Sequence, residues 1–245
     1  MKTRTSLLPL GLVFAFLLAG CEQPAPEALD PATLVASSYT KEANQAVEKQ
    51  LAIADQQDFN DAEKGLIARA PGDAILNARG ETLWHPGAYD FLAGEAPDTV
   101  NPSLWRQAKL NNIRGLFKVQ DDIYQLRGFD LANMTLIKGE QGWIVVDPLT
   151  TMETARSAFD FARQHLGELP ISAMIFTHSH ADHFGGVWGV TSQDEVDQGK
   201  CVIVAPEHFL REVVSENVIA GPAMGRRALF QFGQLLPAHP CAHVD

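Results

Sequence analysis

The sequence predicts an α/β fold in which a histidine-rich loop follows a buried strand. Short apolar segments of strand-like composition alternate with helix-like segments through the second half of the chain. The apolar run 171–176 has the length of a buried strand. Residues 177–186, which come directly after it, hold three histidines, one aspartate and two glycines. Because ligand sites of open α/β sheets lie at the carboxyl ends of strands, this loop is the candidate functional site.

The composition is that of a folded, acidic protein. Apolar residues make up 46% of the chain and charged residues 20%, and the net charge is -11. No long basic run is present, so the sequence argues against nucleic acid as a partner. An anionic substrate would need a local cationic site, which bound metal ions can supply.

The N-terminus has the layout of an export signal. Lys2 and Arg4 precede an apolar segment, 7–19, that is too short to span a bilayer comfortably. The segment ends in Leu-Ala-Gly-Cys, which resembles a bacterial lipobox with Cys21 as the lipidated residue. We therefore expect residues 1–20 to be a signal peptide of the lipoprotein type and the protein to be anchored in the periplasm or at the outer membrane. The alternative is a plain secretory signal in which Cys21 is incidental.

The region between the signal and the strand-rich part is predicted to be a linker followed by a helical segment. Residues 21–30 contain two prolines and three acids, which indicates a flexible linker. Helical composition extends from Pro31 to about Gln57, and a second helix is expected over 61–70, ending before Pro71 and Gly72. Residues 71–115 are rich in glycine, proline and aromatic side chains and are expected to be irregular. The whole segment 31–115 should pack on the domain that follows.

The pattern from residue 116 onward predicts strands separated by a helix. Strands are expected over 122–129, 134–138 and 143–146, the last two forming a hairpin. Thr150 or Thr151 can cap a helix that runs to about Leu166, with Gly167 at its end. A strand over 201–205 and a helix from Pro206, broken at Gly221–Pro222, follow the histidine loop, and 223–232 could be helical.

Cysteine usage leaves two readings for Cys201. It could form a disulfide with Cys241 in an exported protein. Because it opens an apolar run, a buried free thiol is the favoured reading.

The residue types of the loop favour metal binding. Imidazole and carboxylate are ligands of zinc and neighbouring transition metals. His178 and His180 are two residues apart and can point the same way, whereas Asp182 and His183 are adjacent and diverge, which suits a second metal. Gly185 and Gly186 allow a tight turn close to the ligands. The alternative is a surface loop that happens to be rich in histidine.

The order of strand, helix, strand and the spacing H-x-H-x-D-H resembles the metallo-β-lactamase superfamily, a four-layer αβ/βα sandwich. Five further stretches resemble the zinc-dependent alkyl sulfatases of that superfamily: Asn-Pro-Ser-Leu-Trp-Arg-Gln from Asn101, Gly-Phe-Asp-Leu-Ala-Asn from Gly128, Gly-Trp-Ile-Val-Val-Asp-Pro-Leu-Thr from Gly142, the loop from Thr177 itself, and Ser-Glu-Asn-Val-Ile-Ala-Gly from Ser215. The resemblance implies hydrolysis of alkyl sulfate esters, such as dodecyl sulfate, to alcohol and sulfate.

The resemblance also implies the site. His178 and His180 are expected to bind one zinc ion and Asp182 and His183 the other, with Asp182 as the catalytic carboxylate. In that family two further glutamates and a histidine, a dimerisation domain and a sterol-carrier-like domain come later than residue 245. Residues 116–245 are therefore expected to be the first half of the sandwich. A homodimer is expected only for a full-length form. The 245-residue chain, which lacks the later ligands, should bind zinc weakly. Pro222 stands where the family pattern has asparagine, in a turn expected to approach the substrate.

Five further residues are candidates around this site. Asp147, at the end of the neighbouring strand, is expected to orient the ligands from behind. Arg226 and Arg227 are candidates for sulfate recognition, although a solvated helix face explains them equally well. His239 and His243 are weaker candidates for substitute ligands. Two functions remain as alternatives: another hydrolase of the same fold, such as a lactamase or phosphodiesterase, or an inactive fragment or lipoprotein that retains the metal loop.

Overall fold

The fold is built on a mixed seven-stranded sheet with the strand order β1-β4-β5-β6-β7-β8-β9. A computed structural model describes residues 35–232 of the chain. Strands β4 to β7 form an antiparallel meander with β1 at its edge, and β7, β8 and β9 are parallel. The strands are β1 Leu66–Arg69, β2 Ile75–Leu76, β3 Thr82–Trp84, β4 Gly115–Gln120, β5 Ile123–Arg127, β6 Met134–Lys138, β7 Trp143–Val146, β8 Ile171–Ile175 and β9 Val202–Val204.

The helices precede the meander, carry the crossovers between the parallel strands, and follow the last strand. They are α1 Ser38–Gln50, α2 Gln57–Glu63, α3 Pro102–Asn111, α4 Met152–Leu166, α5 Gln193–Asp197, α6 Phe209–Val213 and α7 Gly221–Gln231, with a π-helical turn over Val214–Ile219 between the last two. The mixed α/β class predicted from the sequence is confirmed. Within residues 35–232, none of these helices is both long enough and apolar enough to cross a membrane.

Helix α4 carries the crossover between β7 and β8 and covers the sheet. The Thr151 side chain accepts a hydrogen bond from the Thr154 backbone N–H, which caps the helix as predicted. Ala155 and Ala162 are buried against the strands with Trp143 and Met174. The predicted β6–β7 hairpin is confirmed, with Lys138 opposite Trp143 in an antiparallel register. These elements place the ends of β7 and β8 side by side.

The N-terminal predictions need two corrections. The helix predicted over 61–70 is wrong, because α2 ends at Glu63 and residues 66–69 form strand β1, paired with β4. Gly65 has a φ of 77° and would place a Cβ 2.1 Å from the Lys118 carbonyl oxygen, so the chain turns there and enters the sheet. The segment 71–115, predicted as irregular, contains α3, in which the Asn101 side chain caps the first turn and Trp105 is buried.

The C-terminal elements follow the prediction with shifted boundaries. The helix predicted from Pro206 begins at Phe209. The helical run ends at Ile219, and Ala220 forms a bend, so the predicted break is confirmed. Gly221 and Pro222 then form the first turn of α7, where a missing N–H costs nothing. The predicted signal, linker and lipidation site Cys21 lie outside the described residues, as do Cys241, His239 and His243.

A buried carboxylate ties the turn after β5 to the start of α4. Asp130 is only 7% exposed. Its Oδ1 accepts hydrogen bonds from the Leu131 N–H and the Thr150 hydroxyl, both at 2.6 Å. Its Oδ2 accepts from the Thr150 N–H at 3.0 Å and from the Thr154 hydroxyl at 2.5 Å. Four donors thus satisfy one buried charge, as such burial requires.

We expect Asp130→Ala to lower the free energy of unfolding by about 3 kcal/mol, because it leaves buried donors without their charged acceptor. Denaturant titration followed by circular dichroism measures the change. Asp121→Ala is the control, since the Asp121 side chain is 91% exposed in the β4–β5 turn and pairs with Lys118. Equal losses in the two variants would contradict a structural role for Asp130.

Cys201 is a buried thiol, 1% exposed, at the start of β9. Burial raises its pKa above the ordinary value, and the nearby Glu195 carboxylate adds to the rise, while a hydrogen bond with Thr191 opposes it. Since the thiolate is the reactive form, we expect Cys201 to be alkylated far more slowly in the folded than in the urea-unfolded protein at the same mildly alkaline pH. Peptide mapping by mass spectrometry measures both rates. Equal rates would show that the thiol is accessible.

Candidate metal centre

The site begins where two parallel strands end side by side. Val146 of β7 is paired with Ile175 of β8. The Asp147 N–H donates to the Ile175 carbonyl at 3.0 Å, so the ladder continues one residue beyond the strand. Asp147 then takes a left-handed conformation, with a φ of 56°, which aspartate tolerates better than most residues. The bend directs its side chain toward the segment that follows β8.

Asp147 is the carboxylate that organises the histidine loop. Its Oδ1 accepts from the Thr177 N–H at 2.8 Å. Its Oδ2 accepts from the Thr177 hydroxyl at 2.7 Å and lies 2.8 Å from Nδ1 of His183. The residue is 7% exposed, so these contacts are sheltered from solvent. One side chain therefore fixes the start of the loop and one of its imidazoles.

Glycines let the loop return beneath the end of β7. A Cβ at Gly185 would lie 2.2 Å from the Thr150 carbonyl oxygen, and one at Gly186 would lie 2.1 Å from the Pro148 carbonyl oxygen. Any other residue at these positions would displace backbone. Both glycines therefore allow the loop to approach the backbone after β7 closely, as predicted.

The three imidazoles predicted as ligands come together. The rings of His178 and His183 are 4.1 Å apart between centroids, and those of His178 and His180 are 4.7 Å apart. Oδ2 of Asp182 lies 3.2 Å from Nε2 of His183. His178, Asp182 and His183 are half-buried, whereas His180 is exposed. The spacing H-x-H-x-D-H therefore produces one compact cluster. The expectation that the adjacent Asp182 and His183 diverge is wrong, because their side chains converge.

The hydrogen bonds assign ring protons to two of the imidazoles. The Asp147 carboxylate can only accept, so Nδ1 of His183 is the donor of that bond. The Thr177 hydroxyl gives its proton to Asp147, so it accepts from Nδ1 of His178 at 2.9 Å. Both rings thus present Nε2 away from Asp147. This is the arrangement in which histidines bind metals, with the other nitrogen held by a carboxylate.

A second carboxylate reaches the cluster from the π-helical turn. Oε2 of Glu216 accepts from the Ser179 hydroxyl at 2.7 Å and lies 3.6 Å from Nε2 of His180. The neighbouring Asn217 amide donates to the Ser179 carbonyl at 3.1 Å. Three carboxylates, on Asp147, Asp182 and Glu216, therefore face the imidazoles. Their negative potential favours a cation at this position.

The donor chemistry fits a metal, although the side chains do not form a finished cage. Within residues 35–232, no group of three or more His, Cys, Asp or Glu side chains is gathered so that it could hold an ion as it stands. The 3.2 Å between Asp182 Oδ2 and His183 Nε2 is nevertheless close to the roughly 3.3 Å between two ligands that share a tetrahedral zinc ion. The assignment of His178, His180, Asp182 and His183 as ligands stays a prediction that this geometry supports.

The two predicted sulfate-binding arginines lie on α7. Arg226 and Arg227 are both exposed. Arg227 contacts the sulfur atom of Met224 at 3.9 Å, and among the described residues neither guanidinium makes a hydrogen bond or an ion pair with the loop 177–183. Their role in sulfate recognition stays a prediction.

Residues 127–233 match the family described as the metallo-beta-lactamase superfamily, a range that includes β7, β8 and the whole histidine cluster. This stretch of the chain is similar in sequence to that superfamily. Across 96% of its length the chain is 47% identical to an (R)-specific secondary-alkylsulfatase of Pseudomonas sp.. Across 92% it is 46% identical to a linear primary-alkylsulfatase, also of Pseudomonas sp.. An alkyl/aryl-sulfatase of Saccharomyces cerevisiae is 45% identical over 84% of the chain.

Comparison with solved structures finds a similar fold. The structure of the stereoselective inverting sec-alkylsulfatase of Pseudomonas sp. superimposes with a TM-score of 0.82 and 48% identity. It covers 89% of this chain, and this chain covers 34% of it. The chain also spans about a third of the length of the curated relatives, with 35%, 33% and 32% of those proteins matched. The predicted resemblance to the metallo-β-lactamase superfamily and to alkyl sulfatases is confirmed.

Sequence reasoning missed four residues that hold the cluster: Thr177, Ser179, Glu216 and Asn217. Thr177 and Ser179 stand beside the histidines and were available as hydrogen-bonding neighbours. Glu216 and Asn217 lie in one of the stretches that carried the family resemblance, 36 and 37 residues after His180. Only the tertiary fold brings them to the loop.

We expect Asp147→Asn to weaken metal binding by about 10–100-fold while the fold is retained, the range measured when a partner behind a metal ligand is removed. An amide keeps the shape and tolerates the left-handed backbone, but its single oxygen cannot accept from all three donors. Its NH2 group must therefore face either the Thr177 N–H or the side chains of Thr177 and His183, which are donors as well. Chelator competition measures the affinity. Asp122→Asn is the matched control, because Asp122 has a φ of 61° in an exposed turn. Equal affinities for wild type and Asp147→Asn would contradict the role given to Asp147.

Proposed function

We propose that this chain carries part of the zinc site of an alkylsulfatase, which hydrolyses alkyl sulfate esters to alcohol and sulfate. The observation that supports it most is the 47% identity over 96% of the chain to a secondary-alkylsulfatase, in a region that contains the whole cluster. The geometry agrees, because imidazoles with their Nδ1 atoms held from behind are suited to bind zinc.

In this proposal His178 and His180 hold one zinc ion, and Asp182 and His183 hold the second. When bound, two such ions supply Lewis acidity that makes water nucleophilic at neutral pH and neutralises charge on the ester. Asp147 keeps the ring protons of His183 and, through Thr177, of His178 on the nitrogens that face away from the metals. The Nε2 atoms of His178 and His183 are thereby the ring nitrogens left to bind the ions.

Substrate charge would be met at the same place. The chain has a net charge of -11, so general electrostatic attraction does not bring an anionic ester to it. The positive charge of the bound ions would have to exceed the negative charge of the carboxylates of Asp147, Asp182 and Glu216. Arg226 and Arg227, on the exposed face of α7, are proposed to add guanidinium contacts to sulfate.

We further propose that the protein is exported and anchored through a lipid on Cys21. The support is the arrangement of Lys2, Arg4, the apolar segment 7–19 and the Leu-Ala-Gly-Cys motif. Metabolic labelling with a radioactive fatty acid tests it, and Cys21→Ser should abolish incorporation. Labelling that persists in that variant would contradict anchoring at Cys21.

We expect the full protein to release sulfate from dodecyl sulfate only when it holds zinc, and His180→Ala or His183→Ala to lower kcat/KM by more than about 100-fold. Loss of a ligand should exceed the 10–100-fold effect of losing a partner behind it. Ion chromatography of released sulfate gives the rates. His165→Ala is the control, because His165 lies at the end of α4 and packs on Phe161.

A panel of dodecyl sulfate, a β-lactam and a bis-aryl phosphate separates this proposal from other hydrolases of the superfamily. Preferred turnover of either alternative substrate would overturn the sulfatase proposal and retain the metal site. Turnover of dodecyl sulfate that survives both histidine substitutions would overturn the metal site as well.

A further inference from the structure

The loop 177–183 is contacted from two sides. Asp147 lies on one side, and the residues on the other side have no role in the proposal so far. On that side lies the helical run formed by α6 and the π-helical turn Val214–Ile219. Two consecutive residues of the turn, Glu216 and Asn217, reach the loop at Ser179, between the two histidines proposed to share a zinc ion. We refer to Glu216, Asn217 and Ser179 together as the π-turn latch.

Glu216 contacts both the loop and a proposed ligand through one oxygen atom. Its Oε2 accepts from the Ser179 hydroxyl at 2.7 Å and lies 3.6 Å from Nε2 of His180. The longer distance is beyond a normal hydrogen bond and leaves an electrostatic attraction between carboxylate and imidazole. Ser179 itself is 9% exposed, so its hydroxyl has a buried environment in which an unsatisfied group would be costly.

Asn217 holds the backbone at the same residue. Its amide donates to the Ser179 carbonyl at 3.1 Å and to the Val213 carbonyl at 3.0 Å. The first bond fixes the peptide that leads into His180, and the second ties the amide to its own helix. Side chain and main chain of Ser179 are therefore both restrained.

The π-helical turn explains how two consecutive residues serve this purpose. The Ala220 N–H donates to the Ser215 carbonyl at 2.9 Å, a bond of the wider turn. Glu216 and Asn217 face the loop, while Val218 and Ile219 are 66% and 76% exposed. Phe209, at the start of the run, packs on Phe176 and Phe184 at centroid distances of 5.5 and 5.3 Å. The aromatic contacts thus fix the base of the run that carries the latch.

We propose that Glu216 and Asn217 are positioning residues, which set the orientation of the His180 ring and thereby the affinity of the site for metal. This inference rests on the proposed function, in which His180 is a ligand. Glu216 acts on the ring directly and through Ser179, and Asn217 acts on the backbone that carries it. Neither residue is required to touch the substrate or the metal.

The experiment titrates cobalt(II) into the purified full protein and its variants, following the visible absorption of the bound ion. Glu216→Ala should weaken cobalt binding by about tenfold and change the absorption spectrum, the effect expected for a partner behind a ligand. Glu216→Gln should retain most of the affinity, because a single amide oxygen can accept from Ser179 and face His180. Asn217→Asp should weaken binding as well, since a carboxylate cannot donate to the Ser179 carbonyl.

Glu212→Ala is the matched control. Glu212 lies one turn earlier on the same run, pairs with Arg211, and has a side chain 44% exposed against 43% for Glu216. Its removal deletes the same charge and should leave cobalt binding unchanged. Equal losses in Glu212→Ala and Glu216→Ala would overturn the latch, because the effect would then be one of net charge. Unchanged binding in Glu216→Ala and Asn217→Asp would also overturn it.

Nitrogen NMR of the histidine rings separates failure of the latch from failure of the proposed function. In the metal-free protein, Glu216→Ala should move the ring signals of His180 and leave those of His165 in place. A wild-type protein that takes up no cobalt would contradict the proposed function. The ring signals would still show whether Glu216 sets the orientation of His180. His180 signals that stay in place overturn the latch.

Discussion

The candidate site depends on the burial of one carboxylate at the end of a parallel strand pair. Asp147 is 7% exposed, and a charge so sheltered is tolerated only when its oxygen atoms have partners. Those partners are the backbone and hydroxyl of Thr177 and the ring of His183. The requirement to satisfy Asp147 therefore fixes where the loop begins, which way one imidazole turns and which of its nitrogens carries the proton.

The constraint extends through the backbone around it. Asp147 and Leu149 both have left-handed conformations, with φ of 56° and 66°, so the chain turns sharply after β7 before α4 begins. The turn exposes the carbonyl groups of Pro148 and Thr150 to the returning loop, which contacts them at Gly185 and Gly186. Asp130 holds the far end of the same turn through Thr150 and Thr154. The histidine loop thus lies on a turn that is itself held by a second buried carboxylate.

Local signals in the sequence were sufficient wherever a few adjacent residues decide the structure. Strands β6 and β7 have the predicted bounds, and Thr151 caps α4, because alternation and capping act over short distances. Residues 66–69 were predicted wrongly as helix, since pairing with β4 overrides a weak helical preference. The proximity of His178 and His180 follows from their spacing, whereas the position of His183 also depends on its contact with Asp147. The contacts of Glu216 and Asn217 do not, because a crossover of more than thirty residues separates them from the loop.

The two sides of the loop differ in the kind of control they can exert. The Asp147 side chain is 10% exposed, whereas that of Glu216 is 43% exposed and its charge is screened by water. Asp147 can therefore stabilise a ring strongly through electrostatics, and Glu216 can do so only weakly. Glu216 and Asn217 instead restrain the orientation of the loop, since both contact Ser179, the residue between two proposed ligands. The loop is therefore stabilised by a buried charge on the Asp147 side and by hydrogen bonds that fix its orientation on the Glu216 side. The second set of contacts lies beside His180, the most exposed of the three imidazoles.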